Sequence, residues 1–276
     1  MKALKVERPT DRSSDPSLWD DLAREPLLEE TDIIPIERSF ARRLFGGFYE
    51  HIGSLILLNL AVSLQVLVGG AIGLLIGSVV PGGSGPRILL AAVVVVLFAG
   101  PAFAGLFNYV RNMSDDDART TLSDYLAGMR KYAKRSWVLL SVQAATGALL
   151  ILNFRFYSSI HSLAGTIVLL LILLLTALWA MAGSYAWPLL VRDLSWRLLA
   201  RNSFFLGLAA PASTLAMVVL LTLLSAVLVI TKVGVLVFLF PVWAVTENVA
   251  LMRLVRKFRA RQEAADTTQH SAQGGQ

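Results

Sequence analysis

An all-α polytopic bundle of about six transmembrane helices is the fold this sequence predicts, and three observations lead to it. Charged residues are only 16 % of the 276 and hydrophobic ones 55 %, whereas a soluble domain carries about 25 % charged residues. Apolar runs long enough to cross a hydrocarbon core about 30 Å thick recur along the chain. All but three of the 25 lysines and arginines fall on alternate connections between those runs.

Residues 1–43 are polar and of mixed charge, a cytoplasmic tail rather than a cleavable signal peptide. Leu18, Trp19 and Leu22 give a short amphipathic stretch that Pro26 ends. The first span covers residues 52–80. Its Gly69, Gly73 and Gly77, four residues apart, line one helix face where a second backbone can approach closely. Residues 81–86 are a Gly/Pro turn, without the lysine and hydroxyl residue that a phosphate-binding loop requires.

The second span covers residues 88–110, with Pro101 predicted to kink it. Residues 111–135 are too polar to span. Thr121 and Asp124 fit a capping box, and apolar residues at helical spacing follow. This predicts a short amphipathic helix in the cytoplasmic interface, with Arg130, Lys131, Lys134 and Arg135 towards phospholipid headgroups. A third span follows at 137–153, and a fourth at 163–190. A second short cytoplasmic amphipathic segment at 191–203 carries Arg192, Arg197 and Arg201. The fifth span covers 208–231 and the sixth 233–252, with Pro241 inside it. The spans form one domain, residues 44–258. Residues 259–276 are low-complexity and polar, a disordered cytoplasmic tail. Trp137, Tyr185, Trp187 and Trp196 are placed as an aromatic belt at the cytoplasmic boundary.

The exceptions to the basic bias, Arg87, Arg155 and Lys232, lie one per opposite connection. Positive residues stay in the cytoplasm, so both termini are expected inside a bacterial plasma membrane. A faint repeat accompanies this pattern. A shift of 72 residues lays Leu122, Ser123 and Leu126 on Leu194, Ser195 and Leu198. Each unit would be an incoming helix, an interfacial segment and a returning helix.

Four stretches carry a family resemblance: LILLN at 55–59, GPAFAGLFNYV at 100–110, YLAGMRKYAKRS at 125–136 and LARNSFFLGL at 199–208. They resemble the YesL-like family of bacterial membrane proteins across residues 44–258. That family has no established molecular activity. The resemblance implies an accessory or regulatory role in carbohydrate transport, with carbohydrate ABC-transporter subunits as partners. Two features depart from the family: the long N-terminal tail and the extended interval from Asn59 to Gly100.

Ionisable residues inside spans are functional-site hypotheses by default. Glu247, with Asn248 beside it, is the main candidate. It would contact a proton or substrate, or instead reach the interface or pair with Arg201 or Arg253. Asn59, Gln65, Asn108, Gln143 and Asn153 would bond across helices or line a polar path.

The chain has three histidines, no cysteine, no HExxH and no G-x-S-x-G, so neither catalysis, nor a metal, nor another cofactor is expected. Its basic residues flank apolar runs, which argues for a lipid bilayer as partner and against nucleic acid. A homo-oligomer is compatible with the glycine stripe. The expected function is that of a transport accessory; the alternative is a secondary transporter or permease with a site between helices kinked at Pro101 and Pro241.

Overall fold

The computed structural model describes residues 52–79, 84–114, 120–230 and 239–273, with side chains to Lys257. The N-terminal tail, residues 80–83 at the expected Gly/Pro turn, residues 115–119 and the junction expected between the fifth and sixth spans lie outside the described residues. Seven helices form the described chain: α1 Ile52–Val79, α2 Ser84–Ser114, α3 Leu122–Ser158, α4 Leu163–Leu190, α5 Trp196–Ala209, α6 Pro211–Ile230 and α7 Leu239–Gln273. There is no strand among the described residues. Five of these helices, α1, α2, α3, α4 and α6, are long and apolar enough to cross a membrane. α7 joins the bundle by packing on α1, α2, α4 and α6.

Apolar side chains cover the outside as well as the inside. Leu57, Leu64, Leu67 and Leu74 on α1, Leu149, Ile151 and Leu152 on α3, and Leu220 and Leu223 on α6 are all exposed. A soluble monomer rarely leaves a contiguous apolar patch larger than a few hundred Å²; here such residues cover several helices over their whole length.

With apolar residues on every face, small residues decide which faces meet. Gly69, Gly73 and Gly77 are buried against α2. A Cβ on Gly73 would lie 2.7 Å from the Ala91 Cα, and one on Gly69 would lie 2.9 Å from the Phe98 Cβ. The stripe therefore serves the α1–α2 contact within the chain. The next contact is built the same way. Gly105 of α2 lies against the Tyr125 carbonyl and Met129, while Gly128 of α3 lies against Asn108.

Two expected elements are differently built. The interfacial helix and the third span are one uninterrupted helix, α3, capped at Thr121, whose N–H donates to Asp124 Oδ2 at 2.8 Å. Nothing between Leu122 and Ser158 breaks it, since polarity alone does not end a helix. The corresponding segment after α4 does form a short separate helix, α5. There Pro211 forces the residue before it out of the helical region, and Ala210 sits at φ −141°, ψ 66°. At the other end, α7 continues to Gln273, where composition predicts a disordered tail. The Ala-rich 260–265 segment is compatible with helix, and low complexity is no barrier to it.

Pro101 leaves α2 unbroken. A proline removes the N–H that would bond the carbonyl four residues earlier, which is that of Leu97. Trp137 Nε1 donates to that carbonyl at 2.9 Å, so a side chain of α3 replaces the missing backbone donor. Pro241 is the third described residue of α7, and Pro188, not singled out from the sequence, lies inside α4.

Candidate functional site: an aromatic cavity beneath a clamped polar end

The polar ends of α2, α3 and α4 meet at the 191–195 connection. Arg111 Nη1 donates to the Val191 carbonyl at 2.6 Å, Arg135 Nη2 to that of Leu194, and Tyr132 Oη to that of Val191 at 2.9 Å. Lys131 Nζ forms an ion pair with Asp193 at 2.5 Å, and Tyr132 Oη also lies 3.1 Å from the same oxygen. Asp193 has φ 58°, a left-handed conformation that aspartate tolerates better than most residues. Partial burial works against its charge, but hydrogen bonds from Lys131 and Tyr132 and the positive charge of Lys131 and Arg111 outweigh it. The carboxyl is held below its ordinary 3.8. Lys131 and Arg135 are thus engaged with this connection rather than free to meet headgroups, and Arg135 also lies over the Trp196 ring. Arg130 and Lys134 remain exposed.

The belt residues divide. Trp137 and Trp196 lie at the surface, but Tyr185 and Trp187 are buried. Tyr185 Oη is 3.1 Å from Thr214 Oγ1, which ties α4 to α6. Trp187 donates to Gln143 Oε1 at 2.9 Å, which ties α4 to α3. Both point inward because α4 is packed on every side near its end, where Ser184 to Val191 are all buried.

Beneath the clamp lies a cavity of about 500 Å³. Its walls are Phe103, Leu106 and Phe107 of α2; Leu140, Gln143 and Ala144 of α3; Trp179, Gly183, Ser184 and Trp187 of α4; Val218, Leu221 and Thr222 of α6; and Phe240, Trp243 and Glu247 of α7. The α2 residues stand seven to eleven positions before Ser114, about 10–16 Å from the polar end at 1.5 Å per residue. The space exists because α6 packs on α4 and barely approaches α3. Exposed Ala144, Thr222 and Trp243 lie at its rim. Inside, Phe103 meets Trp187 edge-on at 5.5 Å and Phe240 at 5.3 Å, while Phe107 and Trp187 stack at 6.0 Å.

Glu247 is the one carboxyl group on this wall, and it is 2 % exposed. Its Oε1 accepts from Trp243 Nε1 at 2.5 Å, one helical turn earlier, and its Oε2 has no hydrogen-bond partner among the described residues. The Ser184 hydroxyl, which donates to the Ala180 carbonyl at 3.0 Å, faces Glu247 across the wall as a second hydrogen-bonding group beside Trp243. Neither Arg201 nor Arg253 forms an ion pair with it.

Of the other intramembrane candidates one lines the cavity and most of the rest form ties. Gln65 donates to Met129 Sδ at 3.7 Å and Asn108 to the Asp124 carbonyl at 2.9 Å, while Asn153 donates to the Leu149 carbonyl of its own helix at 2.7 Å. Gln143 lines the cavity. Asn248 is buried and faces away, donating to Ser114 Oγ at 2.9 Å to join α7 to α2. Asn59 is buried, and its Oδ1 accepts from the Phe240 N–H at 3.0 Å, fixing the start of α7 against α1. Apart from Trp187, which was placed in the boundary belt, the aromatic lining was not singled out from the sequence, although a signal exists. Phe103 and Phe107, Trp179 and Gly183 and Trp187, and Trp243 and Glu247 each stand four apart on one helix face.

Comparison with known protein families, curated proteins and solved structures finds no match to this chain. The likeness to the YesL-like family therefore rests on the four sequence stretches alone. The described residues contain no cluster of His, Cys, Asp and Glu able to hold a metal ion.

Proposed function

We propose that this chain is a transporter-class membrane protein that takes an apolar solute into the cavity between α2, α3, α4, α6 and α7. The observation that carries this reading is the cavity itself: about 500 Å³, walled by aromatic rings and holding a buried carboxyl group. Ligand sites are characteristically concave and mostly apolar with a few placed polar groups, commonly between the helices of a bundle. Purified protein in liposomes would accumulate such a solute; a reconstituted protein that neither binds nor moves any apolar solute would sink the reading.

The proposal includes six crossings of a bacterial plasma membrane with both termini in the cytoplasm. Support comes from the cluster of Arg111, Lys131 and Arg135 at one end of the bundle, as the distribution of positive residues requires. The chain has no cysteine, so single-cysteine labelling reads this directly. In intact cells an impermeant thiol reagent should reach Ser159→Cys and miss Arg130→Cys; the opposite pattern inverts the topology.

A second reading, an accessory subunit of a carbohydrate ABC transporter, draws on exposed Arg130 and Lys134 beside the rigidly held connection. In that reading the polar end is the contact surface, and the cavity is not a sugar site. The few polar groups on its wall could not satisfy the hydroxyls of a sugar, each costly to bury unpaired. Stoichiometric recovery of transporter subunits with the tagged protein from native membranes would favour this reading; recovery of the protein alone would remove its support.

A further inference from the structure

We propose that the solute is a hydrophobic organic cation, of the quaternary ammonium or phosphonium class, and that Glu247 is its counter-charge. This rests on the reading of the cavity as a solute site and adds the sign of the solute's charge.

Three observations converge on it. The first is the state of Glu247, buried to 2 % exposure with one oxygen satisfied by Trp243 and the other by nothing among the described residues. A buried carboxylate is costly unless a positive group meets it. The second is where the chain keeps its own cations. At the polar end Lys131 and Arg111 both act on the single carboxylate of Asp193, yet among the described residues no lysine or arginine lines the cavity. No basic side chain among the described residues meets Glu247 on this wall, so the partner for its ionised form would be a cation arriving from outside. The third is the wall. Phe103, Phe107, Trp187 and Phe240 form a connected ring cluster. Aromatic faces attract cations, most strongly when the cation is stripped of water, and aromatic cages are the recurrent means of holding quaternary ammonium groups.

The same features argue against other occupants. An anion would meet both Glu247 and the negative faces of the rings. A neutral hydrocarbon would fill the space but leave Oε2 without a partner. A small hydrated metal ion would find too few oxygen ligands, since the hard cations take six or more. A large apolar cation satisfies the volume, the rings and the carboxylate together.

The test uses two probes of nearly the same shape and opposite charge, tetraphenylphosphonium and tetraphenylborate. Binding of each to the full chain in lipid nanodiscs is measured by equilibrium dialysis, with empty nanodiscs subtracted. The expected result is saturable binding of the phosphonium at one site and none of the borate. Glu247→Gln is expected to weaken phosphonium binding at least about tenfold, as loss of the partner of a desolvated charge does. Phe103→Leu, which keeps the carboxylate but removes the central ring, should weaken it too. If both probes bind with equal affinity, or if Glu247→Gln binds the phosphonium as the native protein does, the charge assignment is overturned while the cavity reading survives. If neither probe binds, the charge assignment is overturned, and the cavity reading stands or falls by its own liposome test. Should Glu247→Gln not fold, the comparison of the two probes on the native chain decides.

Discussion

Replacing Gly73 with alanine tests the close approach of α1 and α2 at its tightest point. The added Cβ would stand 2.7 Å from the Ala91 Cα and 3.0 Å from its carbonyl oxygen. Both are backbone atoms that no rotamer change can move, so the helices must separate. Overpacking of this kind costs about 1–3 kcal/mol. Gly70 supplies the matched control: it lies three residues away on the same helix, and a Cβ there meets nothing within 4 Å. Alanine at Gly70 should be neutral or stabilising by about 0.5–1 kcal/mol, because glycine is the poorer helix former. The two variants should therefore differ by about 1–4 kcal/mol in unfolding free energy. Tryptophan fluorescence during thermal unfolding, in one detergent at one protein-to-detergent ratio, reads the difference as separated midpoints. Equal midpoints would refute the claim that Gly73 is where the backbones touch.

Further outcomes follow from the ties between helices. Trp137→Phe removes the donor to the Leu97 carbonyl and should cost about 1–3 kcal/mol. Combined with Pro101→Ala, which restores a backbone N–H, the same change should cost far less, and additive midpoint shifts in the double-mutant cycle would disprove the replacement. Trp187→Phe keeps the ring but leaves Gln143 Oε1 without its donor; it should lower stability by about 1 kcal/mol, and an unchanged midpoint would count against the bond. Because the Asp193 carboxyl is held below its ordinary 3.8, its contribution is complete above that value and lost as pH falls through the lower folded value. Lys131 and Asp193 are 59 % and 53 % exposed, so solvent screening limits the effect to less than about 1 kcal/mol. The unfolding midpoint of Asp193→Asn should fall less steeply with acid than that of the native protein, and parallel curves would contradict the assignment.

Apolar length and the spacing of charge made the long helices and the glycine stripe legible, because both are one-dimensional properties of a span. One boundary was legible where a residue imposes it, at Thr121, and others were misplaced: between α3 and its expected interfacial helix, where only polarity marked it, and at Pro211, which ends α5 inside the span expected from 208. Glu247 stood out because an acid in an apolar run is conspicuous in any alignment of chain with bilayer. Its surroundings did not. Phe103, Trp187 and Phe240 are separated by dozens of residues, and in a chain this apolar an aromatic residue facing a cavity reads the same as one facing lipid. Which lysines would be engaged was equally hidden: Lys131 and Lys134 differ only in which side of α3 they stand on, and that side is chosen by where the 191–195 connection lands.

The continuity of α3 has a mechanical consequence. Gln143 borders the cavity and Lys131 grips the polar connection, twelve residues apart on one helix with no hinge between them. That separation is about 18 Å, so a tilt of about 10° pivoting at Gln143 displaces Lys131 by about 3 Å. On the proposed function, α3 would act as a lever that carries a change at the cavity wall to the grip on Asp193, whereas α6 is a separate helix begun at Pro211.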